Sequence, residues 1–193
     1  MKVILITSLF VVSGMIHAQT DTSLINRLNA MLKFTQVKDL EKVMDYTYPK
    51  LFTIASRDLL LKTMRDTYET EEYTIELDSV AVKSIFPIFK INDTSYVKVK
   101  HTILMKMKYK EPFDTADKEY STFLMNLMET KFGKGNVRFD RVANSLNIFM
   151  IPDLVGVKPK TGQWTFANLD DDNQAMLDIL FSKQVQNKLK EFK

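Results

Sequence analysis

The sequence predicts an α+β fold in which N-terminal helices pack on a curved antiparallel β-sheet, with one inserted helix and one C-terminal helix. Three observations lead to this prediction. Apolar residues follow helical spacing before residue 70, they alternate with polar residues from Tyr73 onward, and helical spacing returns in two later segments. The chain has five glycines, five prolines and no repeat, so residues 19–193 are expected to form a single domain.

The first 18 residues are predicted to be a secretory signal peptide. Lys2 gives a positive start, Val3 to Val12 give an apolar core, and Ala18 is a small residue before the cut. The core is shorter than the roughly 20 residues that a membrane-spanning helix needs. An uncleaved N-terminal anchor is the alternative. Cleavage near Ala18 predicts a secreted or periplasmic protein with no membrane span.

Composition excludes several classes of function. There is no cysteine, which excludes a disulfide framework, a thiol nucleophile, a zinc–thiolate site and a lipidated cysteine. The net charge is +3, from 27 basic and 24 acidic residues, too balanced for the concentrated basic face of a nucleic-acid-binding protein. No Gly-x-Ser-x-Gly elbow, phosphate loop or dinucleotide fingerprint occurs, which disfavours the usual hydrolases, kinases and dehydrogenases. We therefore expect no cofactor and no nucleic-acid partner.

Two or three short amphipathic helices are predicted before residue 70. The second must end before Pro49, because proline cannot continue a helix. Ser56 can cap a third helix. Their expected inner faces are formed by Leu24, Leu28, Met31 and Leu32, then Leu40, Val43 and Met44, then Leu60, Leu61, Met64 and Tyr68.

Two long strands should follow as an antiparallel hairpin. Ile75 and Leu77 alternate with polar residues, and the apolar set then shifts by one position, which predicts a β-bulge near Asp78 and Ser79. Turn residues in "KINDTS" (90–95) separate this strand from the next.

The second strand, "YVKVKHTILMKMKYK" (96–110), divides into two faces. Successive side chains of a strand point to opposite sides, so one face carries five lysines, Lys98, Lys100, Lys106, Lys108 and Lys110. The other is apolar and includes His101 and Tyr109. A solvated outer face is the simplest interpretation of the lysines; an anion-binding or membrane-surface patch is the alternative.

The inserted helix is predicted over 117–132, ended by Gly133 and Gly135. Its expected apolar face is formed by Tyr120, Phe123, Leu124, Leu127, Met128 and Phe132, with Lys131 as the exception.

A further strand pair should begin at Val137 and at Leu146, and a turn at 158–163 leads into Trp164 and Phe166. These two aromatics share a face, either as core residues or as a stacking wall of a pocket. Three aspartates at 170–172 precede a predicted terminal helix over 173–190. They suit a helix N-terminus better than calcium, which would need alternating ligands and a glycine turn.

Two stretches, "DLEKVMDYTYPKLF" (39–52) and "GQWTFANLD" (162–170), carry a resemblance to a known family. Together with the order of elements, they resemble the nuclear transport factor 2-like superfamily, also described as a cystatin-like cone, and in particular its secreted bacterial members. The resemblance implies a curved sheet around a helix, with an apolar pocket between them. The superfamily includes dehydratases, isomerases, cyclases and non-catalytic binding modules, so the fold alone does not choose a function.

His101 is the central candidate of the predicted site. It is the only histidine after the signal peptide, so no histidine pair with metal-ligand spacing exists and no metal site is expected. On the apolar face it is either a hydrogen-bonded core residue or a polar group at a pocket floor, able to act as general acid or base. Asp45, Tyr46 and Tyr48 are candidate partners from the helical layer.

Two hypotheses follow. The preferred one is a secreted, non-catalytic module that binds a small apolar ligand or a protein partner, with a homodimer through its sheet as one possible assembly. Its predicted ligand-binding residues are His101, Tyr48, Tyr109 and Trp164; no catalytic set is assigned. The alternative is a cone-fold lyase or isomerase with His101 as general acid or base.

Overall fold

The computed structural model describes residues 21–112, 118–169 and 173–192. The predicted signal peptide and the aspartates at 170–172 lie outside these ranges. In the described residues the elements follow in the order α1 (Thr22–Gln36), α2 (Leu40–Tyr46), a 3₁₀ turn (Pro49–Thr53), α3 (Arg57–Tyr68), β1 (Tyr73–Ile85), β2 (Phe89–Ile91), β3 (Thr94–Tyr109), α4 (Lys118–Phe132), β4 (Val137–Asp140), β5 (Ser145–Met150), β6 (Asp153–Pro159), β7 (Thr165–Leu169), α5 (Gln174–Leu180) and α6 (Lys183–Lys190).

Side-chain caps fix where the N-terminal helices begin. The Asp21 carboxylate accepts a hydrogen bond from the Ser23 backbone N–H at 2.9 Å, and Ser56 Oγ accepts one from the Leu59 N–H at 3.2 Å. Helix α2 ends before Pro49, which starts the 3₁₀ turn. The prediction of short N-terminal helices, the third capped by Ser56, is confirmed.

β3 is the central strand of an antiparallel sheet. β1 and β2 pair with one of its edges, and β5 and β6 pair with successive halves of the other. β4 extends the sheet from β5, and β7 extends it from β6. β5 and β6 keep one register against β3, so they form one long strand interrupted at Ile151 and Pro152. Proline has no N–H to continue the ladder, which explains the interruption.

β1 carries two irregularities opposite the regular β3. Its register shifts between Leu77 and Ser79, and again between Val82 and Ser84. The first shift is the bulge predicted near Asp78, and that prediction is confirmed; the second was not predicted. Each inserts an extra residue that bends the strand and increases its twist.

Helix α1 and helix α4 cover one face of the sheet, the face to which the odd-numbered residues of β3 point. Around α1 the buried residues are Leu24, Leu28, Met31, Leu32, Val97, Val99, Leu154, Trp164 and Phe166. Around α4 they are Ile75, Met105, Met107, Val137, Leu146 and Ile148. The apolar face predicted for the second long strand is therefore confirmed.

The inner face predicted for the inserted helix is wrong in part. Tyr120, Phe123 and Leu127 are 52%, 62% and 50% exposed, whereas Leu124 and Met128 pack on the sheet together with Met125 and Phe132. The helical spacing predicted an apolar stripe that faces the sheet along its whole width. Since α4 packs against β4 and β5 on one side only, the residues at one edge of this stripe stay exposed.

The prediction of one terminal helix over 173–190 is wrong, because the chain breaks between α5 and α6. Ser182 Oγ caps α6 by accepting from the Val185 N–H at 3.4 Å. Gln186 Nε2 donates to the carbonyl of Leu177, in the last turn of α5, at 3.2 Å and to that of the C-cap residue Phe181 at 2.8 Å, so two carbonyls at the end of α5 are satisfied. The two helices consequently turn back on the sheet as a pair.

Helices α5 and α6 cover part of the opposite face. Their core contains Val155, Val157, Ala167, Leu177, Leu180, Phe181, Val185 and Leu189. This is the lysine face of β3, so the prediction that it is solvated is wrong at Lys98, which is only 6% exposed. Beyond the helices the face is open, and its lysines pair with carboxylates: Lys106 with Asp78, Lys108 with Glu76 and Lys110 with Glu69.

The α+β class and the antiparallel sheet with helices at both ends are confirmed. The sheet is open rather than a closed barrel, and the cone-like detail stays a prediction. No helix in the described part of the chain has the length and apolar character to cross a membrane.

Candidate functional site

His101 lies at the middle of β3, where both neighbouring strands are irregular. Val82 faces it on β1, beside the second bulge. The His101 backbone N–H donates to the Pro152 carbonyl at 3.2 Å. A regular antiparallel pair exchanges two such bonds, but Pro152 cannot return one. The residue is 4% exposed, and among the described residues Nδ1 has no hydrogen-bond partner.

Burial lowers the pKa of the His101 imidazole to about 4, although the nearby Asp153 charge acts in the opposite direction. The ring is therefore neutral at physiological pH. General acid–base catalysis works best when the pKa lies near the operating pH and an orienting partner is in reach. The His101 pKa lies well below that range and Nδ1 has no partner among the described residues, so its environment is that of a core residue.

Trp164 is also buried, at 1% exposure, in the α1 core. Its indole N–H donates to Asp21 Oδ2 at 3.0 Å, which ties the end of the sheet to the cap of α1. Hydrogen bonds from Ser23 and from this indole lower the pKa of the Asp21 carboxyl. One ring edge lines a polar surface groove of about 440 Å³.

The two predicted tyrosines lie elsewhere. Tyr48 stacks on Phe181 at 5.9 Å in the core of α5 and α6, and burial raises its pKa. Tyr109 lies at the far end of β3, where it meets Tyr73 edge-on, and burial raises its pKa to about 12. Eight residues, about 26 Å of strand, separate it from His101. Tyr48, Tyr109 and Trp164 belong to three separate packing clusters, so the structure does not bring the four predicted residues together.

A different set of side chains converges between the sheet and α6. Lys98 Nζ forms an ion pair with Asp153 Oδ2 at 2.8 Å and donates to the Phe192 backbone carbonyl at 3.0 Å. The Lys98 side chain is 8% exposed and that of Asp153 is 18% exposed. Asp153 Oδ1 is buried and has no partner among the described residues, so a hydrogen-bond acceptor is left unused beside the pair.

This ion pair lies at the base of a pocket of about 310 Å³, which we call the lysine pocket. Its lining combines charged, polar and apolar side chains: Lys98, Lys100, Asp153, Leu169, Leu177, Gln186, Leu189, Lys190 and Phe192. Five of these nine residues are charged or polar, so the lining is more polar than that of most ligand pockets, and four apolar residues form its remaining wall.

Positive charge predominates in the lysine pocket, where three lysines face one aspartate in the described lining. Lys98 and Asp153 neutralise each other. Lys100 lies 6.0 Å from the Phe86 ring, and within the described ranges neither it nor Lys190 forms an ion pair. A concave surface with low-dielectric walls strengthens such a field, so the described lining favours an anion over a cation.

The C-terminal residues close one side of the pocket. Phe192 stacks on Phe86 at 5.5 Å and contacts Phe89 at 5.9 Å, and Phe89 stacks on Tyr96 at 5.6 Å. This aromatic cluster holds the last turn of the chain over β2 and β3, and it brings the Phe192 carbonyl to Lys98.

Sequence reasoning missed the lysine pocket. The alternating lysines of β3 were visible, and an anion patch was one interpretation of them, but the spacing does not show that α6 covers one end of that face. Asp153, directly after Pro152, gave no signal because its partner is distant in sequence. No group of three metal-ligating side chains occurs among the described residues.

Comparisons with protein-family models, with curated proteins and with solved structures gave no match. The resemblance to the nuclear transport factor 2-like superfamily therefore stays a prediction.

Proposed function

We propose that the chain is a non-catalytic binding module, secreted after cleavage near Ala18, that takes a small molecule in the lysine pocket. The observation that carries this proposal is the buried Lys98–Asp153 pair at the base of a pocket of about 310 Å³. Ligand pockets span roughly 300–1,000 Å³, so this pocket suits a small ligand or one part of a longer ligand.

The energetics of the pair support binding more than stability. A buried ion pair commonly contributes no more to folding than well-packed apolar residues would. Asp153 Oδ1 adds an unused buried acceptor, an arrangement that native structures rarely leave without a purpose. A ligand that accepts hydrogen bonds from the lysines, together with a bound water that donates to Oδ1, satisfies both groups.

The lyase or isomerase alternative, with His101 as acid or base, receives less support. His101 is buried, its pKa is lowered to about 4, and the described residues offer Nδ1 no partner. The homodimer through the sheet stays a prediction as well. Its best surface is the open part of the lysine face, where Leu104 pairs with Phe149 and each is more than one third exposed.

A fragment-binding experiment tests the proposal. A mixture of small anionic, neutral and cationic compounds is added to isotope-labelled protein, and amide shifts are followed by NMR. Shifts are expected at Lys98, Gln186 and Leu189. Lys190→Trp, which fills the mouth from an exposed position, should abolish them, while Asn187→Trp on the exposed side of α6 should not. Absence of any binding compound, or equal behaviour of the two variants, contradicts the proposal.

Secretion is tested separately. The full chain is expressed with its own N-terminus in a Gram-negative host, and the periplasmic fraction is analysed by mass spectrometry. A mature chain that begins at Gln19 is the expected product. A chain that keeps Met1 to Ala18 and stays with the membrane fraction supports the anchor alternative.

A further inference from the structure

The lysine pocket continues into an exposed apolar strip along the same face of the sheet. Lys100 pairs with Asp153 at the pocket, and four residues further along β3 Leu104 pairs with Phe149. β3 is regular between them, so Lys100 and Leu104 point to the same side. Ile151 lies between Phe149 and Asp153. The side chains of Leu104, Phe149 and Ile151 are 36%, 39% and 39% exposed. We call Leu104, Phe149 and Ile151 the apolar strip.

From this juxtaposition, and resting on the proposed function, we infer that the ligand is a single-chain anionic amphiphile. Its carboxylate lies in the lysine pocket against Lys100 and Lys190, and its acyl chain lies along the apolar strip. Binding of the carboxylate and of the acyl chain involves no covalent change.

Charge complementarity selects the head group. Lys98 is already paired with Asp153, which leaves Lys100 and Lys190 as the cations of the described lining that form no ion pair. A carboxylate accepts charge-assisted hydrogen bonds from both ammonium groups. A cationic head group would be repelled by the two ammonium groups, and a neutral head group would leave both without a counter-charge.

Distance selects the tail. Four residues of strand separate Lys100 from Leu104, about 13 Å, which a medium-length acyl chain spans. Thr102 lies between these two residues, and its hydroxyl donates to the Ala81 carbonyl at 3.3 Å, so it presents no free donor to the chain. An acyl chain that covers these exposed apolar side chains binds favourably, because each methylene removed from water contributes about 0.8 kcal/mol, roughly a fourfold gain in affinity.

Calorimetric titration of the full mature chain with decanoate, below its micelle concentration, tests the inference. Decyltrimethylammonium and decyl glucoside carry the same tail with a cationic and a neutral head. Decanoate is expected to bind at least about tenfold more tightly than either, the difference of one charge-assisted contact. Equal binding of the three, or preference for the cation, overturns the inference.

Matched variants test the two halves of the site. Lys190→Gln and Lys100→Gln should each weaken decanoate about tenfold, while Lys108→Gln, on the same face of β3 but away from the pocket, should not. Phe149→Ser should remove the gain in affinity from hexanoate to decanoate, while Phe123→Ser, on exposed α4, should leave it. The inference is overturned if Phe149→Ser changes the affinity and the two lysine variants do not, or if the lysine variants change it and Phe149→Ser does not.

The outcomes separate this inference from the proposed function. Fragments that bind in the lysine pocket while decanoate does not would leave the binding module and remove the amphiphile. A dimer in sedimentation that is abolished by Leu104→Glu would assign the apolar strip to a second copy of the chain and also overturn the inference. If neither fragments nor decanoate bind, both proposals fail together.

Discussion

Lys98 Nζ and Asp153 Oδ2 lie 2.8 Å apart beneath α6, on a strand face whose other lysines are half-exposed or exposed. The pair joins the central strand to its neighbour at the start of β6. Its lysine also holds the Phe192 carbonyl, so a single buried ammonium connects β3, β6 and the C-terminus.

Lys98→Met is expected to lower the free energy of unfolding by about 3–5 kcal/mol, because it leaves the Asp153 carboxylate buried without its cation. Lys108→Met removes a lysine from the same face, but that lysine and Glu76 are each more than 40% exposed, so the loss should stay under about 1 kcal/mol. Urea denaturation measures both. A double variant with Asp153→Leu should recover much of the loss; equal effects of the two single variants would contradict a buried pair.

His101 should make stability depend on acid. The unfolded imidazole has a pKa of 6.5 and the folded one about 4, so below pH 6.5 the unfolded chain binds a proton that the folded chain refuses. The stability that depends on neutral His101 is fully present above pH 6.5. As the pH falls toward 4, the free energy of unfolding decreases by at most about 1.4 kcal/mol per pH unit.

His101→Leu should remove most of this slope between pH 6.5 and pH 4, measured by urea denaturation at a series of pH values. The remainder near pH 4 belongs to carboxyls whose pKa is lowered, such as Asp21 and Asp178. Val99→Ala, at a buried position two residues away, should lower stability at every pH and keep the slope. Because His101 is the only histidine after the predicted cleavage site, its ring proton also gives a direct NMR titration. A midpoint near 6.5 would show that the imidazole is not buried in solution.

Gly156 marks a close approach of β6 to the core of α1. A Cβ added there would lie 2.6 Å from Val97 Cγ1 and 3.3 Å from the Phe166 ring. Both neighbours are buried, so they have little room to move. Gly156→Ala should therefore destabilise the protein by about 1–3 kcal/mol, seen as a lower thermal midpoint. An unchanged midpoint would mean that β6 lies further from β3 and β7 than described.

Phe192→Ala should both destabilise the protein and loosen the pocket. The ring contacts Phe86 and Phe89, and its loss removes the two aromatic contacts that hold the C-terminus over β3. We expect a loss of about 2–3 kcal/mol and faster amide hydrogen exchange in α6. Phe123→Ala, at a ring that is 62% exposed, should change stability by under about 0.5 kcal/mol. Unchanged exchange in α6 would place Phe192 outside the pocket wall.

Local patterns in the sequence were sufficient for the elements themselves. Period two placed Val97, Val99 and His101 on the buried face of β3, and the change of phase located the bulge at Asp78, because side-chain alternation is a property of the single strand. Ser56 was found as a cap because its hydrogen bond is to a residue three positions away.

Features that depend on distant elements were not accessible in this way. Lys98 is buried because α6, more than eighty residues later, folds over it, and a lysine pattern looks the same whether or not a helix covers it. Gln186 allows the terminal helix to break by capping α5 through its side chain. His101 and Tyr109 share β3, but the surroundings of each predicted site residue are set by which helix packs on that stretch of the sheet.

The most direct test of the inferred anionic ligand is an NMR titration of the isotope-labelled protein with decanoate, read at the amides of α6 and of the middle of β3. We predict saturable shifts at Lys98, Lys100, Gln186 and Leu189, which Lys190→Trp abolishes. Shifts confined to other surfaces, or none at concentrations below the micelle threshold, would contradict an anionic amphiphile in the lysine pocket.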